Sequence, residues 1–149
     1  DLKELELTYS PMFSTAKDVV NMAALVATNI LENRFKQIHV DEVRALVEKD
    51  AYILDVREVG EFANGHIKNA VNIPLSELRE RMNEIPKERT VYVHCRSAQR
   101  SYNAVMALLH NGYENVYNVS GSFLGICLYE YYNDQAKNRE PIVTQYNFR

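Results

Sequence analysis

The sequence has only two cysteines in 149 residues, Cys95 and Cys127, and they form no C-x-x-C pair. So sparse a usage excludes a disulfide-stapled secreted module. With no signal-peptide h-region, it points to a reducing, cytoplasmic compartment. Basic tracts are also absent: 17 Lys and Arg stand against 20 Asp and Glu, a net charge of −3, which makes nucleic acid and anionic membrane poor partners. The longest apolar stretch, Met22 to Ala27, is far too short to span a bilayer. No His/Cys/Asp cluster has metal-ligand spacing, and there is no Gly-rich phosphate loop, so no metal is expected. Gly and Pro are few, at 5 and 4, and there is no repeat or low-complexity segment. What remains is an ordinary globular composition, long enough to bury a core without staples.

From Ile38 onward short apolar runs alternate with helical patterns. Strands are expected at Ile38–Val40, Tyr52–Leu54, Val71–Ile73, Val91–Val93 and Val116–Val119. Helices are expected at Asp41–Lys49, Val59–Ala63, Ser76–Met82, Gln99–Asn111 and Ser122–Ala136, with Asp41 as an N-cap and Asn111-Gly112 as a stop. Nearly continuous apolar strands alternating with helices imply a parallel sheet covered on both faces, an α/β fold. Ligands in such sheets bind beyond the carboxyl ends of the strands. Cys95 follows the end of one strand, and Asp55 and Arg57 follow the end of another.

Residues 1–34 read differently. Leu5 to Phe13 alternates loosely around Pro11, and Thr15-Ala16-Lys17-Asp18 fits a capping box opening a helix with Val19, Met22, Ala23, Val26 and Ile30 on one face. That apolar face needs a partner, as the end of something larger would. Two domains are expected, 1–34 and 35–149.

The chemistry concentrates in His94-Cys95-Arg96-Ser97-Ala98-Gln99-Arg100-Ser101. A cysteine between a buried strand and a helix start meets unpaired N–H groups and the positive end of the helix dipole. Arg96 and Arg100 bracket the same turn. These influences favour the thiolate, which is the nucleophile.

Asp55-Val56-Arg57-Glu58, Glu61-Phe62, Gly65-His66-Ile67 and Ala70-Val71-Asn72-Ile73-Pro74, followed by Cys95-Arg96-Ser97-Ala98-Gln99-Arg100-Ser101, resemble the rhodanese (sulfurtransferase) family over about Ile38 to Tyr132. The resemblance implies a three-layer α/β/α domain with a five-stranded parallel sheet and Cys95 as catalytic residue. Arg96, Ser97, Ala98, Gln99, Arg100 and Ser101 would form the anion- and persulfide-binding loop, with Arg57 and Asp55 binding substrate or supporting the site. Two positions depart from the family. Asn69 stands where Gly is common, as a residue that tolerates the left-handed conformation. Ala98 stands where the loop often has Gly, which matters only if that position needs a positive φ. Tyr9 to Ala23 resembles the C-terminal end of a pyridine-nucleotide–disulfide oxidoreductase dimerisation domain, most similar to the coenzyme A-disulfide reductase group, some members of which carry a C-terminal rhodanese domain. Residues 1–34 would then be a remnant of that domain plus a linker. This chain would hold no cofactor, while FAD, NAD(P)H and coenzyme A would serve the full-length enzyme, a homodimer.

Four residues separate Cys95 from Arg100, where cysteine phosphatases use five. A tighter ring of N–H donors suits one sulfur anion better than a phosphate. The resemblance thus implies sulfane sulfur carried as a Cys95 persulfide, received from thiosulfate, polysulfide or CoA persulfide and passed to a thiol acceptor or to reductase domains of the same polypeptide. The alternatives are a non-catalytic docking module and, further off, a cysteine phosphatase or arsenate reductase. Arg100 is expected to stabilise the loop and its anion, Ser101 to donate a hydroxyl to the sulfur, and Arg96 to face an anionic donor. His66 and His94 read as structural and Cys127 as a core residue rather than a resolving thiol. Tyr129, Tyr131 and Tyr132 read as packing or as a docking face.

Overall fold

The computed structural model describes residues 35–148 and, ahead of them, only residues 23, 24, 27 and 28. The chain divides into two compact units, Asp1–Lys36 and Gln37–Arg149. In the first, Ala23, Ala24, Ala27 and Thr28 are helical, and the Thr28 hydroxyl donates to Ala24 O at 2.8 Å. The capping box at Thr15 to Asp18 and the reductase-like segment from Tyr9 to Met22 lie outside the described residues.

From Lys36 onward the elements run β1 (Lys36–Ile38), α1 (Val43–Glu48), β2 (Tyr52–Asp55), α2 (Val59–Ala63), β3 (Val71–Asn72), α3 (Leu78–Arg81), β4 (Val91–His94), α4 (Gln99–His110), β5 (Val116–Val119) and α5 (Ser122–Lys137). The strands form one five-stranded parallel sheet in the order β1-β5-β4-β2-β3. Ile53 pairs with Tyr92 and Asp55 with His94. Alternation sends Ile53 to one face, into a core with Val43 of α1 and Phe123, Ile126 and Cys127 of α5. Val91 and Val93 take the other face, where α4 packs on β4 and β5 with Ala104, Val105 and Leu108 buried. Runs apolar on both faces are what a sheet between two helical layers requires.

This strand order fixes where a site can form. After β2 the chain moves outward to β3, and after β4 it moves the opposite way to β5. The loops leaving β2 and β4 therefore diverge and open a crevice at their carboxyl ends.

Three local expectations are corrected. The first strand lies at Lys36–Ile38 rather than Ile38–Val40, because Val40–Glu42 is taken into a 3₁₀ turn. That turn is capped by His39, not Asp41: the Glu42 carboxylate accepts the His39 N–H at 2.8 Å. Asn69 is not left-handed; its amide instead donates to Ala51 O at 3.4 Å. The stop after α4 holds, with Gly112 at φ +83°.

Away from the crevice, Arg44 of α1 bonds Glu130 and Asp134 of α5, and Arg139 bonds the same two carboxylates. Tyr129 and Tyr131 are partly exposed and Tyr132 is 70% exposed, while Tyr131 also meets Tyr146 and Phe148 edge-on.

Candidate active site

Three strand ends converge on Cys95. It follows β4, with Asp55 ending β2 beside it and Ser122 opening α5 just after β5. The α5 start grips the cysteine backbone from both sides: Cys95 N–H donates to Ser122 Oγ at 3.3 Å, and Cys95 O accepts Phe123 N–H at 2.9 Å. Leu124 N–H donates to Arg96 O at 3.2 Å, so the loop hangs on the first turn of α5.

The sulfur lies at the bottom of the loop, in a residue only 1% exposed. Ala98 N–H donates to Cys95 Sγ at 3.2 Å. Burial by itself pushes the thiol up, but the Ser101 hydroxyl and the N–H groups of Ser101, Ser97 and Ala98 outweigh it. The Cys95 thiol therefore sits below its ordinary pKa. The Ser101 hydroxyl also stands 3.0 Å from Ala98 O, so its single proton serves either the carbonyl or the sulfur. Aiming these donors inward requires Ala98 at φ +82°, the left-handed region. The position does need a positive φ, and alanine occupies it at a conformational cost of about 1 kcal/mol.

Arg100 is paired with a carboxylate of α2. Its guanidinium grips Glu61 with two bonds, Nη1 to Oε2 at 2.6 Å and Nη2 to Oε1 at 2.8 Å. The pair holds the Glu61 carboxyl at about 2 and ties α2 to the first turn of α4. Glu61 also accepts the Glu58 N–H at 3.1 Å, closing the start of α2. Sequence reasoning missed Glu61. Its signal was the spacing of Glu58 and Glu61, which fits an acid closing the helix after the Asp55 strand.

Arg57 is 1% exposed. Its Nε donates to Asp55 at 2.9 and 3.0 Å, its Nη2 to Asp55 Oδ2 at 2.6 Å and Gly65 O at 2.9 Å, and its Cζ stacks 3.9 Å from the Phe123 ring centroid. Burial pushes the Asp55 carboxyl up, and the neighbouring His94 ring with the Arg57 guanidinium overcomes this and holds it low. Burial keeps the His94 imidazole below its ordinary value. Its Nδ1 lies 3.2 Å from Cys95 O and its Nε2 3.6 Å from Asp55 Oδ2. These three residues form a buried polar floor next to the cysteine strand.

The other predicted residues separate. Arg96 is partly exposed, and Ser97 and Gln99 are exposed at the rim. Cys127 is buried in the core, and burial pushes its thiol up. His66 stacks on Phe62 with centroids 3.9 Å apart and bonds Phe62 O through Nδ1 at 2.9 Å, fixing its turn. Ser122 was also missed, although Ser120-Gly121-Ser122 marks a turn at the carboxyl end of the strand beside that of Cys95. No group of His, Cys, Asp and Glu among the described residues could hold a metal ion.

Comparison with known proteins agrees with this geometry. A sulfurtransferase of Allochromatium vinosum is 40% identical over 76 residues, covering 51% of this chain and 71% of that protein. The reduced Bacillus anthracis CoADR-RHD superposes with a TM-score of 0.72 at 42% identity, covering 83% of this chain and 22% of that one. A NAD-dependent persulfide reductase from A. fulgidus gives a TM-score of 0.65 at 38% identity, covering 81% of this chain and 21% of that one. The chain thus spans about a fifth of each of these two solved proteins. The model of the Rhodanese-like domain matches residues 39–128, a span holding both the cysteine loop and the Asp55–Arg57 floor, and the chain belongs to that family.

Proposed function

We propose that this chain carries sulfane sulfur as a persulfide on Cys95, as the sulfurtransferase part of a flavin-dependent CoA-disulfide or persulfide/polysulfide reductase. The observation that carries the first half is the Ala98 N–H donating at 3.2 Å to one buried sulfur, whose thiol the Ser101 hydroxyl and the other loop N–H groups also hold below its ordinary pKa. The second half rests on the likeness to the CoADR-RHD and persulfide reductase structures.

The cycle has two displacements. The Cys95 thiolate attacks the outer sulfur of thiosulfate; the Sγ–S bond forms, the donor S–S bond breaks, and sulfite leaves with the electron pair. With a persulfide or polysulfide donor, a thiolate or shortened polysulfide leaves instead. The loop N–H groups balance the charge of the Cys95 persulfide in a site where water is largely excluded. An acceptor thiolate, such as that of coenzyme A, or cyanide then takes the outer sulfur, and the electron pair returns to Cys95 Sγ. Arg96 at the rim receives the anionic donor, while Asp55 and Arg57 support the floor and Arg100 supports the loop. FAD and NAD(P)H are held by the reductase domains, and no step above passes through them. Residues 1–34 would be the end of a reductase dimerisation domain, the whole protein a cytoplasmic homodimer, and its partners small sulfur donors and thiols.

Mass spectrometry of the Cys95 peptide after exposure to thiosulfate, polysulfide or CoA persulfide tests this. One added sulfur atom, removed by cyanide, is expected. No sulfur on Cys95 from any donor overturns the proposal and leaves a docking module as the better reading.

A further inference from the structure

Ser122 is a serine held where a glycine would be more comfortable. It follows Gly121 at φ +82° and itself adopts φ +49°, so two left-handed residues in succession start α5. The conformation disfavours a side chain by about 1–2 kcal/mol, yet the Ser122 side chain is wholly buried rather than turned to water. Its hydroxyl oxygen stands 3.3 Å from Cys95 N, 3.3 Å from Val119 O and 3.9 Å from Cys95 Sγ.

The hydrogen-bond inventory of this hydroxyl leaves one choice open. The oxygen accepts the Cys95 N–H, and the one proton it carries has two acceptors in reach, the Val119 carbonyl and the sulfur. The carbonyl contact is longer than a good O–H···O bond, so the hydroxyl is not firmly committed there. Hydrogen bonds to an ionised partner are stronger and shorter than neutral ones. A thiol sulfur offers the proton little; a thiolate offers more than the carbonyl does.

We infer that the Ser122 hydroxyl is a charge-responsive donor to the Cys95 sulfur, turning its proton from the Val119 carbonyl onto Sγ whenever that atom is anionic. It comes from the start of α5, a different element from the Ser97–Ser101 loop, and it holds the Cys95 backbone at the same time. Within the sulfur-transfer reading, on which this consequence rests, Sγ is anionic twice in each cycle. It is so as the attacking nucleophile and again as the leaving group when the outer sulfur departs. Ser122 would therefore favour both half-reactions without touching donor or acceptor.

The test is the pH profile of Cys95 alkylation by iodoacetamide in the full 149-residue chain, followed on the Cys95 peptide, for wild type, Ser122→Ala and Ser122→Gly. Alanine removes the hydroxyl and keeps the unfavourable φ; glycine removes the hydroxyl and relaxes the φ. Both are expected to move the midpoint upward and to slow alkylation below it by about threefold to tenfold, the effect of losing one long hydrogen bond to a charged group. Unchanged midpoints in both variants overturn the inference. So does a shift in the alanine variant that glycine reverses, because backbone strain would then be the cause. Alkylation needs no sulfur donor. A wild-type Cys95 that titrates low but takes up no sulfur defeats the transferase reading and leaves the Ser122 assignment to stand or fall on its own profile.

Discussion

Arg100 and Glu61 meet through two parallel bonds of 2.6 and 2.8 Å, so the cation at the far end of the sulfur loop is paired with a carboxylate of another helix. The pair acts as a strut between α2 and the start of α4, while the Ser101 hydroxyl and the backbone N–H groups of the loop are what favour the anionic sulfur. Glu61→Gln should keep the shape but weaken the strut, and Arg100→Lys should lose its fork. Each is expected to lower kcat/KM for sulfur transfer from thiosulfate to cyanide by about tenfold through a loosened loop. Steady-state kinetics with both variants checks this, and full activity in both would show that the strut does not position the loop.

The same pair predicts a pH dependence of stability. The Glu61 carboxyl is lowered from 4.5 to about 2 in the folded chain. A lowered carboxylate stabilises the fold above its unfolded value, so the contribution is complete above about 4.5 and disappears as the pH falls through about 2. Both side chains are about a third exposed, so after screening the effect is on the order of 1 kcal/mol. Urea midpoints should fall across that window in the wild type and fall less in Glu61→Gln.

Ala98→Gly should stabilise the chain. At φ +82° alanine carries a penalty that glycine lacks, and the extra freedom of glycine in the unfolded chain offsets only part of the gain. A net increase of about 0.5 kcal/mol is expected in urea unfolding, with the alkylation midpoint of Cys95 unmoved because the Ala98 N–H remains in place. A loss of stability would mean that the methyl group packs well enough to outweigh the backbone strain.

The contrast between Ala98 and Asn69 shows what was legible in the sequence. The strand–helix alternation located every sheet strand to within a few residues, because buried parallel strands write their pattern in unbroken apolar runs such as Val91 to Val93. Cys95 and its loop were legible because a nucleophile at a strand end is a local feature. Backbone handedness was not, since it depends on what each N–H must reach: Ala98 is left-handed to aim its N–H at the sulfur, while Asn69 is not left-handed at all. The partners of Arg100 and of the sulfur were hidden for another reason. Glu61 is 39 positions from Arg100, and Ser122 is 27 from Cys95. Only the sheet order brings such residues together.

Cys127 should be chemically silent. It is buried among Ile126, Phe123 and Ile53, and burial pushes its thiol up where the loop holds that of Cys95 down, so the reactive thiolate is scarce on Cys127. Native-state alkylation is expected on Cys95 alone. Cys127→Ala should retain sulfur loading on Cys95 while lowering stability by about 1–2 kcal/mol through the cavity it leaves. Loss of sulfur turnover at unchanged loading would instead make Cys127 a resolving thiol.

Arg57 decides between two roles that its place in the sequence leaves open, and the two make opposite kinetic predictions. A substrate-binding arginine would be accessible, and replacing it would raise KM with little effect on folding. The guanidinium here is buried, bonded to Asp55 and Gly65 O, and stacked on Phe123. Removing one member of a buried pair leaves the other uncompensated, at a cost of about 3–5 kcal/mol. Asp55→Asn strands the cation and should destabilise more than Arg57→Met, whose apolar chain can still lie on the Phe123 ring. Urea unfolding of both, with KM for thiosulfate measured well below their unfolding transitions, separates the cases. A large stability loss with KM within about twofold of wild type makes Arg57 a support of the floor. A large rise in KM in an Arg57→Met chain of near-normal stability would make it a substrate ligand and require the crevice to open during turnover.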